Sequence, residues 1–172
     1  MTTNTNNPAG KCASVNGINL YYEIHGTGKP LIMLHGGFGT FEMFAALSPA
    51  LTLDHQVIGV DLYGHGRTAL TDRPIRFEQM ADDIAGLIGH LGLEKADLLG
   101  FSLGGAVALQ TAIRHPERVN TLVVISTPFK HKSKASDRSG EVCGQHTRGD
   151  LHTLQTDWLA SRNANRHDNH RP

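Results

Sequence analysis

The stretch LLGFSLGGAVALQ, residues 98–110, sets a serine between glycines where one apolar pattern gives way to another. Before Ser102 the apolar run is nearly unbroken, as in a strand buried on both faces. After it the apolar residues recur at helical spacing until Pro116 ends the pattern. Ser102 therefore falls on a strand-to-helix turn. A serine hydroxyl is a poor nucleophile at neutral pH; to attack, it needs exposure, a neighbouring base and donors for the oxyanion it creates. A sharp turn supplies the exposure and holds its central residue in a strained conformation. Small residues are then required two before and two after, where Gly100 and Gly104 stand. The helix points its free N–H groups at the same spot, and the Leu103 amide is the expected donor. A second donor must come from a loop after an adjacent strand. LHGGFGT, residues 34–40, is such a loop; Gly37 is the first choice of donor and Phe38 the second.

Outward from this turn, strand and helix alternate. Asn16-Gly17 divides two short β-prone runs in residues 13–25, the signature of a tight hairpin. PLIMLHG (30–36) and HQVIGVDLYGHG (55–66) read as buried parallel strands that end in glycine. TFEMFAALSPAL between them reads as a helix with Phe41, Phe44, Ala45 and Leu47 near one face. From Phe77, spacings of three and four join Met80, Ala81, Ile84, Leu87, Ile88 and Leu91 into a helix, leaving Asp82, Asp83 and His90 for solvent. KADLLGF and VNTLVVIS are further strands. The expected architecture is α/β, a mostly parallel sheet with an N-terminal antiparallel hairpin and helices on both faces.

Composition narrows the function classes. With 172 residues, 39% of them apolar, one domain with one core is expected. Sixteen basic and sixteen acidic residues cancel, so neither nucleic acid nor a membrane surface is an expected partner. MTTNTNNPAG resembles no leader peptide and no run is long enough to span a bilayer, so a cytoplasmic protein is expected. Cys12 and Cys143 form no CxxC pair and read as ordinary thiols, with no metal site implied. The expected organisation is a flexible N-terminus (1–12), the α/β domain (13–130) and a polar tail (131–172). Five of the eleven histidines lie in that tail. It reads as disordered or loosely helical, with Leu151, Leu154, Trp158 and Leu159 able to form one short helix.

HGG at 35–37, DLYGHGRT at 61–68 and GFSLGG at 100–105, in that order, resemble the first part of an α/β-hydrolase of the small-molecule esterase, lipase, C–C hydrolase and cofactor-free haloperoxidase group. Thr68 departs mildly, standing where many relatives have serine. The resemblance implies a serine hydrolase acting on small ester or carbonyl substrates, without cofactor. Ser102 would be the nucleophile, with Gly37, Phe38 and Leu103 at the oxyanion hole and His35, Gly36, Gly100 and Gly104 supporting them. In this family an acid and a histidine follow the serine, on later strands that are not visible here. Ser126-Thr127-Pro128, where some relatives carry the acid, has no carboxylate. The fold is thus expected to be incomplete, from a truncated or frameshifted gene, with weak or absent activity and an exposed strand edge inviting self-association.

Blander readings accompany these. His35 is expected to brace its loop by hydrogen bonding, Asp61 to brace the turn beside Gly64 and Gly66, and His65 and Arg67 to be solvated. HDNH at 167–170 reads as incidental rather than metal-binding. Phe38, Phe41 and Phe44 either line an apolar pocket or pack in the core. Two other classes remain: a non-catalytic binder on the same fold, and a dinucleotide-binding protein. GFSLGG and GGFGTF lack the GxGxxG spacing that the latter requires.

Overall fold

The computed structural model describes residues 10–127. The hairpin forms as its turn chemistry demands. Asn16 and Gly17 both take positive φ, 46° and 81°, and Val15 pairs with Ile18 across them. That is the two-residue turn whose twist suits paired strands. It joins β1 (Lys11–Val15) to β2 (Ile18–His25). β1 thus starts at Lys11, inside the stretch expected to be flexible.

Four further strands follow: β3 (Lys29–Leu34), β4 (His55–Val60), β5 (Ala96–Phe101) and β6 (Val119–Ile125). They form one sheet in the order β1-β2-β4-β3-β5-β6. β2 runs antiparallel to β1 and β4, and the β4-β3-β5-β6 half is parallel. Ile32, Met33 and Leu34 on β3 and Val57, Ile58 and Val60 on β4 are wholly buried, so both faces of these strands are covered.

The helices are α1 (Ser48–Leu51), α2 (Phe77–His90) and α3 (Leu103–Arg114). The β3-to-β4 connection steps one way along the sheet, while β4-to-β5 and β5-to-β6 step the other. Right-handed crossovers therefore put α2 and α3 on one face and the β3–β4 connection on the other. On that second face Phe41 and Phe44 pack against Leu31, Met33, Val57 and Leu99. They are core residues, and the Phe41 ring occupies the space that a Cβ on Gly59 would take. The reversal of direction occurs between β3 and β5. Their carboxyl ends flank the crevice where ligands of open parallel sheets bind, and the HGG loop and Ser102 emerge there.

Two expectations are corrected. The helix expected over 40–51 is a 3-10 turn at Phe41–Phe44 and a four-residue α1. Pro49 supplies no N–H, and Ala45 and Leu47 are exposed rather than packed. Asp83, expected to face solvent, is buried. It takes the Arg73 guanidinium through both oxygens at 2.9 and 2.6 Å and accepts Asn16 Nδ2–H at 3.1 Å. Arg73 also lies 4.3 Å over the Tyr63 ring, so one carboxylate ties the hairpin, the loop after β4 and α2 together.

Replacing Asp83 with alanine strands the Arg73 guanidinium. Breaking a buried pair by removing one partner costs about 3 kcal/mol or more, so Asp83→Ala is expected to lower the urea midpoint by a corresponding amount. An unchanged midpoint contradicts the buried-pair account.

Candidate active site

Ser102 has φ 50° and ψ −113°, a conformation that L residues avoid. Close backbone approach dictates it. A Cβ on Gly100 would lie 2.3 Å from Gly104 O, and one on Gly104 would lie 2.1 Å from Leu34 O and 2.5 Å from His35 O. No side chain fits at either position, which is the physical content of the GxSxG spacing. Ser102 is half-buried, and its hydroxyl makes no hydrogen bond to another described residue.

Backbone bonds fix the turn from both sides. Ser102 N–H donates to Ile125 O at 2.9 Å, and Gly104 N–H donates to His35 O at 3.0 Å. As the first residue of α3, Leu103 has no intrahelical acceptor for its N–H.

The HGG loop lies alongside. A Cβ on Gly36 would come 2.9 Å from the Phe101 ring and 3.5 Å from Ser102 Cβ. Gly39 N–H donates to Gly36 O at 3.1 Å and closes a four-residue turn. Phe38 occupies its third position at φ 59°, where glycine is usual, and is fully exposed. Phe38 therefore does not join the core of the described residues. Gly37 is exposed with open space around it, and neither Gly37 nor Phe38 donates its N–H to another described residue.

His35 is wholly buried. Its Nε2 accepts Leu62 N–H at 2.9 Å, so the ring proton sits on Nδ1, 2.7 Å from Gly36 O. Burial pushes its pKa below the usual value, against the opposing pull of the Gly36 carbonyl. The ring braces two loops.

Asp61 braces the same loops. One oxygen accepts Phe41 N–H at 3.0 Å; the other accepts Arg67 N–H at 3.0 Å and Arg67 Nε–H at 2.7 Å. Burial alone would raise its pKa, but the Arg67 side chain and these two amides outweigh it and hold the carboxyl below its ordinary range. Gly66 is needed here, since a Cβ would lie 2.3 Å from Asp61 Oδ2.

Arg67 is an exposed loop residue, as expected, but not an unpartnered one. Besides Asp61 it pairs with Glu23 at 3.1 Å and Glu42 at 2.8 Å and lies 4.1 Å over the Tyr21 ring. The Tyr21 hydroxyl is pushed up to about 12, by burial first and then by its bond to Glu23. His65 is also engaged, with Nδ1 3.0 Å from Tyr63 O and its ring 5.2 Å from His35. Thr68 is buried, donating to Asp61 O at 2.6 Å and accepting Tyr21 N–H at 2.9 Å. Sequence reasoning missed Thr127, whose hydroxyl donates to Ser102 O at 3.1 Å; a lone threonine after a strand gives no signal.

Among the described residues no group of three or more His, Cys, Asp or Glu could hold a metal ion, and no helix is long and apolar enough to cross a membrane. Cys143, HDNH and the histidines and acids from 131 onward lie outside the described residues.

His35 gives a signed pH prediction. Because its folded pKa is depressed, its stabilisation is complete above the unfolded value of about 6.5 and is lost as pH falls toward the folded one. The urea midpoint is expected to drop between about pH 7.5 and about pH 5. The drop is expected to be smaller in His35→Gln, which offers Leu62 an acceptor but cannot titrate. Equal drops in the two proteins contradict the assignment.

The family model for the alpha/beta hydrolase fold matches residues 29–141. The dihydrolipoyllysine-residue acetyltransferase component of an acetoin cleaving system from Pseudomonas putida is 36% identical over 122 residues, covering 70% of this chain and 33% of that protein. A 2-hydroxymuconate semialdehyde hydrolase from Pseudomonas sp. (strain CF600) is 37% identical over 106 residues, covering 59% of this chain and 38% of that one. Among solved structures, the epoxide hydrolase CorEH superposes with a TM-score of 0.69 at 30% identity, over 77% of this chain and 46% of that one. The chain thus spans less than half the length of each of these three. The match over residues 29–141, joined to the sheet order and the turn at Ser102, leaves no place for a dinucleotide-binding reading: the chain belongs to the α/β-hydrolase fold family.

Proposed function

We propose that this chain carries the attacking half of a serine hydrolase directed at small ester or carbonyl compounds. Ser102 is the nucleophile, and the amides of Leu103 and Gly37, with Phe38 as the alternative to Gly37, form the oxyanion hole. The observation that carries the reading is the backbone of Ser102, held at φ 50° at the head of α3 with its hydroxyl unengaged by other described residues. In the reaction, Oγ bonds to the carbonyl carbon as its proton passes to a base, and the carbonyl π pair moves to oxygen, where the amides hold it. The pair then returns, the alcohol departs with a proton, and water releases the acyl group from Ser102 by the same route.

The base and acid of such a reaction are not among the partners of Ser102 in residues 10–127. On this reading the chain attacks slowly, since loss of a triad histidine costs on the order of 10⁶ in turnover while an oxyanion hole alone keeps roughly 10³ to 10⁴ over water. The same observation favours a second reading, a small-molecule binder that keeps the fold without turnover. A fluorophosphonate probe separates the two. The first predicts covalent labelling of the wild type, absent from Ser102→Ala, together with slow p-nitrophenyl acetate hydrolysis that the substitution abolishes. A wild type that is neither labelled nor active overturns it in favour of the binder.

The edge of the sheet supports a further part of the proposal, since β6 has a strand neighbour on one side only among the described residues: β6 pairs with β6 of a second copy. Thr121, Leu122, Val123, Val124 and Ile125 carry no charge and no proline, and Val123 and Ile125 stand 43% and 40% exposed. Such a stretch carries neither the charges nor the proline that usually discourage edge pairing, and a two-fold arrangement about Val123 matches it to itself. Analytical ultracentrifugation is expected to find a dimer or larger species that Val123→Lys converts to monomer. A monomeric wild type contradicts the pairing.

A further inference from the structure

We infer that Thr127 is a positioning residue for the Ser102 turn, an inference that rests on the reading of Ser102 as nucleophile. Three observations converge on it. The Ser102 carbonyl, which accepts Gly105 N–H at 3.1 Å and Ala106 N–H at 3.2 Å, also takes the Thr127 hydroxyl at 3.1 Å. On the other side of the same residue, Ser102 N–H is held by Ile125 O. Residues 125–127 therefore grip both peptide groups flanking the strained α-carbon.

Ser126 adopts φ 51°, a left-handed conformation that a serine takes only when its surroundings fix it. It turns the chain at the end of β6 and so brings Thr127 back over the start of α3. Gly105 is the third observation. A Cβ there would lie 1.8 Å from Thr127 Oγ1 and 3.0 Å from Gly100 O, so the glycine leaves room for the hydroxyl to reach. GFSLGG thus carries a glycine beyond the spacing of the turn itself, and the close approach of Thr127 together with the Gly100 carbonyl accounts for it. The grip works through geometry: with the hydroxyl gone, the Ser102 peptide loses one of the groups holding it, and Oγ loses its fixed aim at a carbonyl carbon. Misplacement of a reacting group by about 1 Å costs up to about 10²-fold.

The test compares Thr127→Val, which keeps the shape and removes the donor, with Thr127→Ser, which keeps the donor. Gly105→Ala removes the space and is otherwise favourable in a helix. Two readouts are used on the whole 172-residue chain. Fluorophosphonate labelling of Ser102 is expected to slow about tenfold or more in Thr127→Val and Gly105→Ala and to be restored in Thr127→Ser. Amide hydrogen exchange at Ser102 is expected to quicken in the first two variants and to stay slow in the third. Wild-type exchange and labelling in Thr127→Val overturn the inference. A wild type that is never labelled removes the nucleophile reading, while the exchange comparison still decides whether Thr127 holds the turn. Labelling as slow, or exchange as fast, in Thr127→Ser as in Thr127→Val also overturns it, because the hydroxyl is then irrelevant.

Discussion

The backbone of Ser102 is the constraint on which the rest of this structure depends. A residue at φ 50° and ψ −113° stores on the order of 1–3 kcal/mol and persists only where its surroundings over-determine it. They do so here through contact of main chain with main chain. Gly104 presses on the carbonyls of Leu34 and His35, and Gly100 presses on the carbonyl of Gly104. The end of β3, the end of β5 and the first turn of α3 therefore form one block. Hydrogen bonds from Ser102 to Ile125 and from Gly104 to His35 tie in the end of β6 and the HGG loop.

From this block the bracing runs outward through buried polar groups. The His35 carbonyl takes the α3 amide, while its ring takes Leu62 N–H after β4. Asp61, one residue earlier, holds Phe41 on the far side of the HGG loop, and Arg67 joins Asp61 to Glu23 on β2. Both loops at the crevice are thus anchored by groups that satisfy buried backbone donors, each of which costs stability if left unpaired. None of these bracing groups bonds to the Ser102 hydroxyl, so rigidity at the crevice comes without occupying it.

The parts of this arrangement that sequence could reveal are those set by local chemistry. Asn16-Gly17 announces the hairpin because only residues tolerant of positive φ fit that turn. The unbroken apolar runs at 31–34 and 57–60 announce buried parallel strands. The glycines around Ser102 announce the sharp bend. What stayed hidden depends on partners distant in the chain. Asp83 reads as solvent-facing by helical period, because nothing local says that Arg73 and Asn16 will meet it. The pairing of the turn residues Arg67 and Thr68 stayed hidden because their partners, Glu23 and Tyr21, lie on a strand more than forty residues away. The helix expected at 40–51 was shortened by Pro49 and by the demand that Phe41 lie in the groove left by Gly59. Substrate is a matter of the pocket rather than the fold, and relatives of this family act on chemically different compounds.

The most direct measurement is the backbone of residue 102 itself, by crystallography at a resolution that defines carbonyl oxygens. The account predicts Ser102 at positive φ, with the Gly104 amide on the His35 carbonyl and Oγ facing open space between the Leu103 and Gly37 amides. An ordinary helical φ at Ser102, with its side chain packed away from the crevice, would contradict it.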